Sequence, residues 1–249
     1  MRPRTAIIVQ ARRASTRLPD KVLLDLRGRT VLNHVLRRCG AVPDVAHVVC
    51  AIPDTPGHDA LAAEASAAGA TVVAGPEADV LGRYLLAARH VGADTVLRVT
   101  SDCPLIDPSV CRAVMDLRER TGADYAANNM PPSWPHGLDC EAFTVAALEL
   151  AYRHAAEPSA REHVTPWIRA NRELRRENLG GPGGEAAKER WTLDYPEDLL
   201  FLRALAEAAG GDLANLGWQD ILAVLDAHPD LRQINAERVD QGRLTAVQA

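Results

Sequence analysis

Apolar and polar positions along the chain change period in a regular way. Residues 5–9 form a short continuous apolar run, the pattern of a strand covered on both faces. Val31, Leu32, Val35, Leu36 and Cys39 then recur at the three- and four-residue spacing of one helix face. The alternation repeats. Strand-like runs fall at 47–52, 71–75 and 95–99, separated by helical stretches at 59–68 and 80–91. Asp107 before Pro108 predicts a capped helix start, because the proline's missing N–H is not needed at the first helical position. Residues 124–128 read as a weaker strand. Strands alternating with short helices predict βαβ units and a mostly parallel sheet, hence an α/β fold.

The second half is less regular. "NNMPPSWPHGLD" (128–139) carries Pro131, Pro132 and Pro135, which excludes a regular element and reads as a substrate loop. Residues 157–171 are helical with Pro166 inside, which predicts a bend or a split. "LGGPGGEAAKE" (179–189) is a flexible connection. The run from Arg190 to Asp194 predicts a short strand, and Pro196 opens a helix after it. The last ten residues are polar and expected to be loose. No internal repeat is visible.

In parallel sheets ligands bind beyond the carboxyl ends of the strands, so the residues after each strand carry the functional question. After the first strand, Arg12, Arg13, Arg17 and Lys21 are interleaved with Ala14, Ser15 and Thr16. Such a loop can surround a polyphosphate with N–H donors and cations; it can equally be a solvated basic loop. It is neither a Walker loop nor a dinucleotide fingerprint. Asp102 follows the fourth strand, where a carboxylate suits magnesium or simply a turn. Asp194 ends a strand-like run before Pro196, as a metal ligand or as an acidic residue at a helix N-terminus. Two such aspartates beside a cationic loop would together supply the parts of phosphoryl transfer. Weaker candidates are Asp139 and Glu141, which share a face if they lie on a strand, Arg161, Glu162 and His163, and Arg83 as a nucleotide contact.

Composition narrows these readings. The chain has 249 residues, 47% of them hydrophobic, which suits one large soluble globular domain. A net charge of -5 argues against general binding to nucleic acid or membrane surfaces, so phosphate binding has to be local. Five cysteines without a CxxC pair argue against a disulfide framework or a zinc site. The first apolar run is too short for a signal peptide, and no stretch approaches a membrane span. A cytoplasmic protein is expected.

These residues carry a resemblance. "QARRASTRLPDKVL", "DVLGRY", "RVTSDCPLIDP", "ADYAAN", "HGLDCEAF", "REHVTPWIR" and "WTLDYPEDL" resemble, in order and spacing, the spore-coat polysaccharide (SpsF-like) cytidylyltransferases, relatives of the CMP-acylneuraminate and CMP-ketodeoxyoctonate synthetases. The similarity runs from about residue 5 to 205. It implies a Rossmann-like, mixed, mostly parallel sheet of the nucleotide-diphosphosugar transferase (GT-A-like) type in a single domain. The nucleotide-binding half would be about 1–125, the acceptor and dimerisation part about 126–190 and a helical part about 194–249. It implies transfer of CMP from CTP to a small anionic acceptor, a sugar acid or a phosphonate, with Mg²⁺ and a homodimer. The nucleotide would be held by Arg12, Ser15, Thr16, Arg17, Lys21, Arg83 and Ser101, with Arg17, Lys21 and Asp102 catalytic. Asp102 and Asp194 would hold the metal, and Asp139, Glu141, Arg161, Glu162 and His163 the acceptor.

The chain departs from its relatives at five places. Ala14, Asp20 and Ser101 stand where glycine is frequent, Arg13 where methionine is common, and Tyr195 where a threonine would cap the last helix. Two other classes compete. A GT-A glycosyltransferase would carry a DxD motif, but the fourth strand ends "SDCP". An idle nucleotide-binding regulator is disfavoured by intact Lys21, Asp102 and Asp194.

Overall fold

A computed structural model describes residues 4–211 and 213–245. The first apolar run becomes strand β1 (Thr5–Gln10), buried except at its polar end. Helix α1 (Val31–Gly40), strand β2 (His47–Pro53), helix α2 (Asp59–Ala67), strand β3 (Thr71–Gly75), helix α3 (Val80–His90) and strand β4 (Thr95–Thr100) follow, in the alternation that the apolar periods predict. Thr30 caps α1 and Asp79 caps α3, each through its side-chain oxygen. Helix α4 (Pro108–Thr121) opens as expected on the Asp107 carboxylate, which accepts from the amides of Ser109 and Val110.

Strands β5 (Tyr125–Ala127) and β6 (Glu141–Thr144), helices α5 (Val145–His154), α6 (Pro158–His163) and α7 (Pro166–Ala170), and strand β7 (Arg176–Asn178) complete the sheet and its cover. The split of the 157–171 helix falls at Pro166, as its ring requires. The predicted strand before Asp194 does not form. Only an isolated bridge pairs Arg190 with His136, because the segment packs beside the 136–138 turn and not against a sheet edge. That turn needs a glycine. Gly137 has φ +117, and a Cβ there would stand 2.7 Å from the Trp191 carbonyl carbon.

The strand order is β3-β2-β1-β4-β6-β5-β7. β6 runs antiparallel to both of its neighbours, and the other pairings are parallel. The chain moves outward from β1 to β3, then returns to place β4 on the other side of β1. That reversal opens a crevice at the carboxyl ends of β1 and β4, where a ligand has room. Gln10 pairs with Thr100 there, and Ile8 pairs with Arg98 two residues below.

Alternate residues of β1 feed two cores. Ile7 and Val9 pack among Leu32, Leu36 and Val114, while Ala6 and Ile8 pack among Leu81, Tyr84 and Leu148. Each large apolar side chain so buried contributes about 2 kcal/mol. A third core gathers Trp191, Leu193, Phe201 and Leu205 with Ile221 and Leu225, which lie on helices α8 (Pro196–Ala208) and α9 (Trp218–Ala227). Two polar groups fasten this part to the sheet. The buried Arg38 guanidinium donates to the carbonyls of Ile106, Leu213, Ala214 and Leu216. The second oxygen of Asp107 accepts from the Trp218 amide. Helix α10 (Gln241–Thr245) occupies part of the tail expected to be loose, whose last four residues lie outside the described residues. Among the described residues, no helix is long and apolar enough to cross a membrane.

Candidate active site

The loop after β1 turns back on itself and enters a short 3-10 turn at Lys21–Leu23. Two of the departures from the resembling family meet here. Asp20 holds a left-handed φ of 52, the conformation that glycine adopts without strain. Arg13 offsets that strain by gripping the Asp20 carboxylate through Nε and Nη2, at 2.7 and 2.9 Å, while Nη1 reaches the Gly57 carbonyl. Arg13 is therefore a strut of the loop. Ala14 and Ser101 both line the cavity described below, and neither holds a positive φ, so the backbone does not require glycine at these positions.

Lys21 points from this loop into the crevice. Its Nζ donates to Asp102 Oδ2 at 2.8 Å, to Asp194 Oδ1 at 2.9 Å and to the Leu193 carbonyl at 2.8 Å. The two aspartates lie 92 residues apart, and backbone bonds bring them together: the Leu193 amide and the Thr192 hydroxyl both donate to the Asp102 carbonyl. Burial would lower the Lys21 pKa, but the charges of Asp102 and Asp194 outweigh it and the value is raised. Burial would raise the Asp102 pKa, and Lys21 outweighs that in turn, so the value is lowered. The raised Lys21 and the lowered Asp102 hold each other in their charged forms.

Asp194 is aimed by residues that sequence reasoning missed. Asp198, wholly buried, accepts from the backbone amides of Asp194 and Tyr195. It thereby caps α8 from the third helical position, which is how the helix starts without the threonine that Tyr195 replaces. Arg190 grips Asp198 through two bonds of 2.8 Å and reaches Asp194 at 3.3 Å. The Asn235 amide also donates to Asp198 Oδ1. The last acid of "DYPED" was the available signal.

A cavity of about 620 Å³ opens over this trio. It brings together Arg12, Ser15, Thr16, Arg17, Lys21, Arg83, Ser101, Asp102, Glu162, His163 and Asp194. Arg17 donates to Asp194 at 3.1 Å and more weakly to the Tyr195 hydroxyl. Arg12 pairs with Glu162 across the mouth at 3.1 Å. Three further polar residues on the wall, Gln10, Arg98 and Thr100, were not singled out in sequence. The signal for Arg98 was a charge inside the apolar run "TVLRV". Gln10 Oε1, Arg83 Nε and Arg98 Nε are buried atoms without a hydrogen-bond partner, and all three residues line this cavity. An unpaired buried polar atom costs about 1–3 kcal/mol, a cost that three residues of this one wall carry.

The remaining candidates lie elsewhere. Glu141, only 2% exposed, sits behind Arg98 and accepts from the Tyr125 and Thr165 hydroxyls as well as the guanidiniums of Arg98 and Arg169. It holds Arg98 in place from beneath. Asp139 does not share its strand; it accepts from Arg243 at 2.6 Å. Arg161 faces away from the cavity, paired with the Asp79 carboxylate and lying over the Tyr152 ring.

Two carboxylate oxygens converging on one cation fit Mg²⁺, which takes oxygen ligands and usually shares them between protein, water and substrate phosphates. Among the described residues no group of three or more His, Cys, Asp or Glu side chains converges, so phosphate oxygens and water would have to complete such a site.

Comparison with known proteins bears on the family and the fold. The sequence model of the cytidylyltransferase family matches residues 6–210. The spore coat polysaccharide biosynthesis protein SpsF of Bacillus subtilis is 30% identical over 230 residues, 90% of this chain and 94% of that protein. The structure of a cytidylyltransferase from Leptospira borgpetersenii superposes with a TM-score of 0.86 at 28% identity, covering 92% of this chain and 96% of that one. The CMP:2-keto-3-deoxy-manno-octonic acid synthetase complexed with CTP shares the fold, with a TM-score of 0.63 at 20% identity over 82% of this chain and 98% of that one. With its doubly wound sheet, the cationic loop after β1 and the aspartates at the crevice, the chain belongs to the cytidylyltransferase family.

Proposed function

We propose that the protein transfers CMP from CTP to a small anionic acceptor, a sugar acid by default, with release of pyrophosphate. The observation that carries this reading is the Lys21 ammonium seated between Asp102 and Asp194 in the crevice beyond β1 and β4. An oxygen of the acceptor forms a bond to the α-phosphorus of CTP. The bond from that phosphorus to the bridging oxygen breaks, and pyrophosphate leaves with the electron pair. A hydroxyl acceptor releases its proton to solvent.

Negative charge grows on the α-phosphoryl oxygens and the leaving group. Arg17 and Lys21 would hold the triphosphate and stabilise that charge. Asp102 and Asp194 would hold Mg²⁺, which would supply further neutralisation of phosphoryl oxygens. Lys21, paired with both aspartates in this structure, would be free to turn to the phosphates if those carboxylates held the ion. Asp198 and Arg190 keep Asp194 on its course. The two unpaired N–H groups of Arg83 and Arg98 and the unpaired oxygen of Gln10 match, in number and kind, the edge of cytosine, with its O2 and N3 acceptors and its 4-amino donor. Ser15, Thr16 and Ser101 line the wall between this edge and the phosphates.

Pyrophosphate release from each nucleoside triphosphate, with a panel of sugar acids and phosphonates, tests the reading. CTP alone should support turnover, and only with an acceptor. Equal turnover with all four nucleotides, or a requirement for a preformed nucleotide sugar, would overturn it.

A further inference from the structure

A second pocket shares a wall with the nucleotide cavity. Arg17 and Asp194 line both. Its volume is about 370 Å³, and its other walls are His136, Arg190 and Tyr195 from the body of the domain and residues 237–241 from the C-terminal segment. That segment lies beyond residue 210, where the family match ends.

The chemistry of the pocket is cationic around one ring. Three guanidinium carbons lie close to the centroid of Tyr195: Arg238 at 4.5 Å, Arg17 at 5.0 Å and Arg190 at 5.7 Å. They are not equally engaged. Arg190 is committed to Asp198 by two bonds. Arg17 and Arg238 each have one carboxylate partner in a partly exposed position, Asp194 and Glu197 respectively. Arg238 Nε makes no hydrogen bond although it is buried. Asp194, Glu237 and Asp240 are the acids of the lining, and Asp240 is occupied in part by the Arg243 amide.

We infer that this pocket is the acceptor subsite, in which Arg238 binds the anionic group, carboxylate or phosphonate, of the molecule that receives CMP, beside the Arg17 wall shared with the nucleotide cavity. The inference rests on the nucleotide reading above and assigns the other half of the reaction. The shared wall explains the placement, since an acceptor held against Arg17 and Asp194 has its reactive oxygen beside the phosphates across that wall. A planar guanidinium presents two donors to either anion, which is why Arg238 suits both. Acceptor choice then lies with the C-terminal segment and is separable from nucleotide choice, which lies with β1, β4 and α3.

Calorimetric titration tests this on the full chain saturated with α,β-methylene-CTP, which cannot turn over. The probes are 3-deoxy-manno-octulosonate for the carboxylate class and 2-hydroxyethylphosphonate for the phosphonate class. One probe should bind, and Arg238→Ala should weaken it about tenfold or more, the order for losing a charged hydrogen bond. Arg238→Lys should recover part of the loss. Affinity for α,β-methylene-CTP should be the same in all three proteins, which also reports that the variants are folded. Binding of neither probe to the wild type, or binding that Arg238→Ala leaves intact, overturns the subsite. Failure of α,β-methylene-CTP itself to bind the wild type would instead count against the nucleotide reading.

Discussion

Removing the cation between the two aspartates gives the most direct check on the site. In Lys21→Ala, Asp102 and Asp194 keep their positions through backbone bonds but lose their shared counter-ion. Lys21 is 15% exposed, and the carboxylates are 26% and 18% exposed. Breaking a fully buried pair costs about 3–5 kcal/mol; partial solvation brings this to about 2–3 kcal/mol. For a chain of this size that is a fall in melting temperature of about 5–10 °C. The pH dependence separates this cause from simple loss of packing. In the wild type the Asp102 pKa is lowered, so its contribution is present above the unfolded carboxyl value and is lost as pH falls through the folded value. The Lys21 pKa is raised, so its contribution is present below the unfolded value and is lost only as pH rises through the folded one. In the variant the charge that chiefly opposes the effect of burial on Asp102 is gone, and its folded pKa should rise. The stability gap between the two proteins should therefore narrow as pH falls from 7 toward 5. Mg²⁺ should raise the melting temperature of Lys21→Ala more than that of the wild type, because it replaces the missing cation. Thermal denaturation across pH, with and without Mg²⁺, reads all three effects. A gap that is absent, or constant across pH and indifferent to Mg²⁺, would refute the charge-trio account.

Three other outcomes are expected. Asp102→Asn should lower pyrophosphate release from CTP at least ~100-fold, the order for losing one preorganised stabilising group, in a coupled phosphate assay. Asp107→Ala removes caps from both α4 and α9 and should cost about 2 kcal/mol in urea titration; a loss under about 0.5 kcal/mol would mean that the second cap does not hold α9. Glu141→Gln leaves Arg98 and Arg169 without their buried counter-charge and should destabilise by about 3 kcal/mol, with weaker CTP binding because Arg98 loses its support. Wild-type CTP affinity in that variant would separate Arg98 from the nucleotide.

Much of the nucleotide half is legible in sequence because its elements change period cleanly. The runs at 5–9 and 95–99 are β1 and β4 to within a residue, and the loop and turn after them hold Lys21 and Asp102. Strands β6 and β7 are only four and three residues long, too short to show a period, so the antiparallel insertion between β4 and β5 was not visible. Asp194 was legible as a candidate, but on the wrong element. A hydrogen bond from the Leu193 amide to Asp102, and not a strand, places it, and no local pattern encodes a backbone bond across 91 residues. The same holds for Arg98 and Gln10. Each is ordinary in its own neighbourhood and acquires a role only when the strand order sets it on the cavity wall.

The Arg38 guanidinium has a consequence for the order in which the molecule is completed. Arg38 leaves the ribosome early, yet three of its four carbonyl partners belong to residues 213–216. Until those residues emerge, a cation in the last turn of α1 has only the Ile106 carbonyl, and the apolar face that α8 and α9 will cover is open to solvent. Two helices waiting on one late segment mean that a growing chain cannot finish its catalytic crevice strand by strand. Translation that stops short of residue 213 would release a product rich in correct secondary structure but without function, prone to self-association and a ready substrate for proteases.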